Sequence, residues 1–569
     1  MWECPQRSRR SLLRDACVAA SGAWTMGGSL WGKMIEGREI VVARGAVATE
    51  PEEAARAGAR ILEAGGNAVD AAACAALACG VLLPQLSGIG GYVLAGVVLE
   101  GSTGKLWAID ANSAAPARAH ERMYETGPPG VGVALNRNEY QCSVRDDANV
   151  HGPLAVGVPG ELAGIGTLQQ RWGRLKWPQV VAPVQRLLAD GIPFAGMAQA
   201  IADQQAILRK YEDTARLLLP EGAPPRREDL WRPRDLEKTF ARLASAGWRD
   251  FYEGEIGRRI ADSIQRLGGW LTREDMARYQ PRIVEPYSIP YRNATVYSAV
   301  LANGGITCLE ALNMLERFEV APESDPAWWH RLAEVLKLAW RDRLRYAADP
   351  GAVPVPIERL LSKEYAAGRV ETLRQFPSAV DSLPGPPAAD SPGTTHISAG
   401  DSDGNLVAIT VTHGGMFGSC VTVPGAGILL AHGMSRFDPR PGRANSVGPG
   451  KRPLNNVCPT IVRLPERDVA LGLRGGRRIV SVATQLIARI VDHGAGPLEA
   501  SIAPRLHVEE HEPLEITSSA PAQIAARLEA TGHRMKKMAT VGGWAHLVER
   551  SPQTGKIRAG SAICAAGIE

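Results

Sequence analysis

Residues 394–412, TTHISAGDSDGNLVAITVT, place two threonines at the outer ends of two alternating segments joined by turn chemistry. Thr394, His396 and Ser398 share one face and Thr395 and Ile397 the other, as a strand with one buried face requires. Val407, Ile409 and Val411 share a face of the second segment. Asp401-Ser402-Asp403-Gly404-Asn405 reads as a five-residue hairpin loop whose Gly and Asn tolerate positive φ. A hairpin symmetric about Asp403 pairs Thr394 with Thr412 and sets two hydroxyls opposite each other, although a slip of one residue would undo that pairing.

A threonine hydroxyl is a poor nucleophile unless a base sits beside it. One available base is the residue's own α-amine, freed when the chain is cut before it. Residues 382–393, SLPGPPAADSPG, have the composition of a flexible tether that can be bent into its own site. The pattern alone also fits an interdomain linker followed by a Thr-rich hairpin.

The elements that must position these threonines can be read on either side. Thr49-Glu50-Pro51-Glu52 fits a capping box opening a helix that runs to Glu63. Gly65-Gly66 ends it, and Asn67 caps a second, Ala-rich helix, Ala68–Leu82, whose small side chains suit burial. The cluster Ser87-Gly88-Ile89-Gly90-Gly91 precedes an apolar strand over 92–99. It lacks the phosphate-loop and dinucleotide fingerprints, so it reads as backbone packed closely against a site or a neighbouring layer. Residues 155–375 read as mostly helical, with Ile256, Ile260 and Ile264 on one helix face and an arginine-rich, solvated helix face over 328–346. Short strands follow at 427–430, 460–463 and 469–473. The last ends at Arg474-Gly475-Gly476-Arg477, just before a helix over 479–491. Paired glycines there expose backbone N–H groups, as an oxyanion hole requires, and as a simple tight turn also would.

Composition sets outer limits. The 569 residues carry 64 basic and 60 acidic side chains, a net charge of +4, which gives no nucleic-acid signature. Nine scattered cysteines lack the paired spacing of a zinc site and read as small buried apolar residues. Residues 1–37 stand apart: Ser8-Arg9-Arg10-Ser11-Leu12-Leu13-Arg14 resembles a twin-arginine export signal, with a disordered basic tail as the alternative. No apolar run approaches the length of a membrane span.

From about residue 41 onward the chain resembles the γ-glutamyltransferases, which are N-terminal nucleophile (Ntn) hydrolases. The resemblance rests on separated motifs in a fixed order: GGNAVDAA (65–72), GIGG (88–91), VPGE (158–161), GGWLTREDMARY (268–279), TTHISAGDSDGN (394–405), FGS (417–419), GPGKRPL (448–454) and RGGRR (474–478). It implies an α+β fold, a four-layer αββα sandwich formed jointly by two autoproteolytic subunits. Cleavage between Gly393 and Thr394 would give a large subunit ending at 393 and a small one of 569 − 393 = 176 residues. Thr394 would be the nucleophile, Thr412 its hydrogen-bonding helper, and Gly475 and Gly476 the oxyanion donors. The partners implied are a small amide substrate and water or an amine acceptor, with no metal or organic cofactor.

The departures concern the acyl group. Family members that take γ-glutamyl donors hold the zwitterion with an Arg in a D-[FY]-R-E segment, an Asn after the helper Thr, an acid in NNxMDDF and the serines of PLSS. Here Asn112, Gly414, Arg436 and the pair Asn455-Asn456 stand in those places. Charged hydrogen bonds to such a substrate are worth roughly 1.5–3 kcal/mol each. Their loss and the reversed charge at Arg436 point to an acyl group that is anionic but lacks the α-amine. A short 437–451 segment implies an open site. The alternatives are a glutathione hydrolase whose clamp is rebuilt from Asn112, Arg436, Asn455 and Asn456, and an uncleaved binding protein on the same fold.

Overall fold

The structure, a computed structural model, describes residues 34–127, 140, 142–374 and 393–569. The arginine pair at 9–10 and most of the 382–393 tether lie outside the described residues. The strands that frame the site are β1 (Met34–Val42), β2 (Gly45–Ala48), β3 (Val93–Leu99), β4 (Leu106–Asn112), β5 (Arg282–Val284), β6 (Tyr287–Tyr291), β7 (Ala294–Ser298), β8 (Gly393–Asp401), β9 (Leu406–Gly414), β10 (Thr460–Arg463), β11 (Asp468–Leu473), β12 (Ala545–Arg550) and β13 (Ile557–Ile568). The helices packed on them are α1 (Glu52–Glu63), α2 (Ala68–Leu82), α3 (Glu161–Trp172), α4 (Trp177–Asp190), α5 (Gly305–Leu315), α6 (Pro326–Tyr346) and α7 (Arg478–Asp492).

Hydrogen bonding runs in the order β5-β4-β3-β9-β8-β2-β13-β12-β11-β10-β7-β6, with β1 alongside β13. The long strand β13 makes this path possible. Its C-terminal half pairs with β2, Ile568 opposite Gly45, and its N-terminal half with β12, Ile557 opposite Arg550. The ladder therefore folds over on itself, so that β8 lies across β11 and β12, and β9 across β10 and β11.

Alternation decides what fills each interface. Leu406 and Ala408 meet Ala46, Val97, Ile461, Ala470 and Val548 between the two folded halves of the sheet. Ile397, Ala399, Val407, Ile409 and Val411 face outward into the core formed with α1 to α4. On the far side Val469, Leu471 and Leu473 pack with residues of α5 and α7. The expectation of one buried face on the hairpin is thus corrected: every residue of β8 and β9 is buried. The face that reads as polar is roofed by β11 and β12, and its hydroxyl and imidazole groups pair with one another.

Other local expectations divide similarly. All of α2 is buried, and Asn67 caps it, accepting from the Val69 and Asp70 N–H groups while Asp70 accepts from the Asn67 N–H at 3.2 Å. The helix before it has no such cap. Pro51 occupies the N-cap, and the Thr49 hydroxyl donates instead to the His396 carbonyl at 2.8 Å, tying the start of α1 to β8. The stretch read as mostly helical includes β5, β6 and β7, which extend the outer edges of the folded sheet next to β4 and β10. On α6, Arg345 is exposed and Arg331 and Arg341 half-buried, as a solvated arginine face requires, but Arg343 departs from it. Arg343, only 2% exposed, donates to the Asn455 carbonyl and the Asn456 Oδ1, each at 2.7 Å. The seven described cysteines are buried and unpaired.

Candidate active site

The hairpin pairs Thr394 with Thr412, with a register irregularity between Gly393 and Thr394. The Thr394 hydroxyl donates to Thr412 Oγ1 at 2.9 Å, and the Gly414 N–H donates to the same oxygen at 2.8 Å. The Thr412 hydroxyl in turn donates to the Gly393 carbonyl in a very short contact. One oxygen therefore accepts from the candidate nucleophile and donates to the carbonyl that precedes it. Both threonines are buried.

Gly475 and Gly476 form the turn from β11 into α7, with φ of +140° and +57°, conformations that disfavour a side chain. A Cβ on Gly475 would also meet the Gly542 Cα at 2.8 Å. Along β8 the His396 ring rests on Gly472 of β11, Ser398 donates to His546 of β12 and Gly400 faces Val548 of β12, so β8 runs antiparallel to β11 and the turn lies at its Thr394 end. Thr394 is two residues before His396 and Gly475 three after Gly472, a matter of two or three strand steps on each side. Arg474 completes this end, its Nε 2.7 Å from Glu50 Oε1. Burial raises the Glu50 carboxyl to about 7 despite that arginine. Behind the turn lies a cavity of about 510 Å³ lined by Arg474, Gly475, Arg505 and Trp544 among others.

The glycine cluster is explained by Glu161, a residue that sequence reasoning passed over although it sits in VPGE. Its carboxyl accepts from the Ser87 hydroxyl at 2.7 Å. Burial drives its pKa well above the usual carboxylate range, while the N–H groups of Gly88 and Thr412 act in the opposite sense. A Cβ on Gly91 would overlap this carboxyl, with Cδ at 2.7 Å, and one on Gly90 would meet Leu429. The cluster is thus close-packed backbone, as expected, and it wraps an acid that supports the Thr412 strand.

Two altered clamp positions touch each other. Arg436 is buried, lies over the Tyr92 ring and donates to the Gly414 carbonyl at 2.7 Å. Gly414 pairs with Gly393, so the guanidinium stands beside the strand pair that holds the candidate cleavage site. The side-chain space at 414 is taken by His432, whose ring a Cβ would meet at 2.5 Å. Burial, then the neighbouring Arg436, holds that imidazole far below its usual pKa and therefore neutral. A glycine in place of a larger residue was the signal that a neighbour fills the gap.

The remaining candidates make contacts of their own, and Asn112 stands in the same cross-strand row as Thr412 and Thr394, through Val93. Asn112 donates to the Pro453 carbonyl at 2.6 Å. Asn455 donates to Asn303 at 2.8 Å and accepts from the Val457 N–H, while Asn456 accepts from Arg343. They share the 451–456 loop with Arg436 through Asn445, which donates to the Arg436 carbonyl and accepts from the Leu454 N–H. Their side chains hold that loop in place. Among the described residues, His330, Glu334 and His533 bring three possible metal ligands within 4.8 Å of one another. The Lys337 ammonium, 2.8 Å from Glu334 and 2.6 Å from Glu512, already serves as the cation there.

Comparison with known proteins identifies the family and the fold. The sequence profile described as Gamma-glutamyltranspeptidase matches residues 54–567. The "Acylase ACY 1 proenzyme" of Pseudomonas sp. (strain SE83) is 34% identical over 519 residues, 90% of each chain. The "Glutathione hydrolase proenzyme" of Bacillus subtilis (strain 168) is 31% identical over 514 residues, 86% of this chain and 85% of that one. The crystal structure of cephalosporin acylase from Bacillus halodurans superposes with a TM-score of 0.82 at 28% identity, covering 96% and 97% of the two chains. The chain belongs to the gamma-glutamyltranspeptidase family.

Proposed function

We propose that this protein is a self-processing threonine amidohydrolase, an acylase of its family, built as a four-layer αββα sandwich to which both products of its own cleavage contribute. The Thr412 hydroxyl carries the reading, because it binds the nucleophile and polarises the electrophile at once. Thr394 Oγ adds to the Gly393 carbonyl carbon, the C–N bond to Thr394 breaks, and the nitrogen takes up a proton, leaving an ester between Gly393 and Thr394 Oγ. Water hydrolyses the ester to a carboxylate on Gly393 and a free α-amine on Thr394.

In turnover that amine, with an ordinary pKa of about 7.7–8.0, accepts the Thr394 hydroxyl proton. The oxygen attacks the substrate amide, and the Gly475 and Gly476 N–H groups receive the charge that develops on the carbonyl oxygen. The leaving amine departs with the proton, and water or an acceptor amine discharges the acyl-enzyme. Arg436 beside Gly414 supports an acyl chain that ends in a carboxylate and lacks an α-amine. A glutamyl clamp rebuilt from Asn112, Asn455 and Asn456 is less well supported, since the Asn455 amide is taken up by Asn303 and Val457, the Asn112 Nδ2 by Pro453 and the Asn456 Oδ1 by Arg343. The arginine pair near the N-terminus supports export of the folded protein.

Denaturing electrophoresis tests the processing. The wild type gives bands of 176 residues and of 393 residues or fewer, and Thr394→Ala gives one band; a wild type that stays whole sinks the mechanism. Hydrolysis of glutaryl-p-nitroanilide at least about tenfold faster than γ-glutamyl-p-nitroanilide tests the acyl assignment, and the reverse preference defeats it.

A further inference from the structure

Next to Thr394, where β8 crosses β11 and β12, lies a buried polar chain with no part in the reaction just described. Ser398 donates to the His546 carbonyl of β12 at 3.0 Å, which uses its only proton. The His396 Nε2, 3.0 Å from Ser398 Oγ, must then be the donor, so Nδ1 accepts from the Thr410 hydroxyl at 2.8 Å. The ring is thus a neutral imidazole in a single tautomer, in keeping with burial that holds its pKa well below the usual range. It is fastened to β9 at one nitrogen and, through Ser398, to β12 at the other. Its flat face fills the space over Gly472 of β11, where a Cβ would overlap it, lying 2.8 Å from Nε2.

We propose that His396 is a positioning residue, a spacer that sets the gap between the strand bearing Thr394 and the strand bearing the Gly475-Gly476 turn. Facing sheets ordinarily pack about 10 Å apart. Here a ring opposite a glycine, locked in rotation by two hydrogen bonds, fixes that separation two residues from the nucleophile. Reaction rate is steep in this distance, since a misplacement of about 1 Å can cost on the order of a hundredfold. The inference rests on the reading of Thr394 as nucleophile.

The test is a double-mutant cycle of Gly472→Ala and His396→Gln on the self-processed enzyme. It is assayed on whichever of the two p-nitroanilides the wild type hydrolyses faster. Gly472→Ala is expected to lower kcat by roughly 10- to 100-fold with KM within about twofold, because substrate contacts stay while the oxyanion donors move. His396→Gln alone should also lower kcat, and the pair should lose less than the product of the two single losses, because the slimmer, flexible side chain can turn aside from the new methyl where the rigid ring cannot. Additive losses, or a folded Gly472→Ala enzyme with unchanged kcat, overturn the spacer. If Gly472→Ala does not fold, His396→Gln decides alone: unchanged kcat with a lowered Tm would mean that the ring serves stability only. Failure of the nucleophile reading shows separately, as cleavage and activity retained in Thr394→Ala.

Discussion

Valine at position 412 keeps the branched shape of threonine and removes a single hydroxyl, and with it three hydrogen bonds. The Thr394 hydroxyl, the Gly414 N–H and the Gly393 carbonyl all lose their partner at that oxygen. Two of these are buried backbone groups, each costing about 1–3 kcal/mol when left unpaired, so the precursor should lose roughly 2–6 kcal/mol of stability. The larger effect is kinetic. Withdrawing the donor that polarises the carbonyl under attack should cost about 2.7–4 kcal/mol of transition-state stabilisation, a slowing of processing by about 10²- to 10³-fold. Thr412→Val should therefore purify as intact precursor that ripens over hours to days in a timed electrophoresis series. Thr412→Ser, which restores the oxygen, should stay within about tenfold of wild type. Wild-type processing by Thr412→Val, or equal slowness of both variants, would refute the role assigned to this hydroxyl. Circular dichroism of the unprocessed variant separates a chemical block from a failure to fold.

Three further outcomes follow from described contacts. Arg436→Gln should raise KM for the glutaryl anilide by roughly 10- to 100-fold, the loss of one charged hydrogen bond, while self-cleavage continues; unchanged KM would remove Arg436 from the acyl site. Glu50 has its folded pKa raised from 4.5 to about 7, so the folded protein holds a proton that the unfolded chain releases. Its contribution to stability is full below about pH 4.5 and declines by about 3 kcal/mol as pH rises through 7. Glu50→Gln should flatten the urea midpoint between pH 5 and 8, and a parallel decline in both proteins would contradict this. Arg343→Met leaves the Asn455 carbonyl and Asn456 Oδ1 without their buried donor, a cost of about 2–6 kcal/mol. It should loosen the 451–456 loop, read as faster hydrogen exchange there.

The pairing of Thr394 with Thr412 was legible because its signal is local. Five turn residues between two alternating segments fix a register, and the register alone brings Thr394 and Thr412 together. The Asn67 cap and the all-small α2 were legible for the same reason. The burial of both hairpin faces was not, because the strands that cover the second face come from residues 460–473 and 545–550 and no local period announces them. The same distance hid the pairing of His396 with Gly472. The edge strands β5 to β7 are three to five residues long and interrupted by turns, too short for periodicity to separate them from the helices on either side. Glu161 and His432 are compensations, each filling space that a glycine elsewhere in the chain leaves open, and a compensation is visible only once both partners are placed.

The order of strands across the folded sheet has one more consequence. Should the chain be cut before Thr394, β8, β9, β10 and β13 would belong to one product and β1, β2, β3 and β7 to the other. They are laced together by the ladders β3 to β9, β2 to β8, β2 to β13, β1 to β13 and β7 to β10. The two polypeptides could part only by undoing the whole core, and once parted they would have to find each other by diffusion before that core could form again. Maturation would thus convert a molecule that folds as one chain into one with no unimolecular route back. The lifetime of the working enzyme would then be governed by how slowly it opens rather than by the equilibrium that formed it.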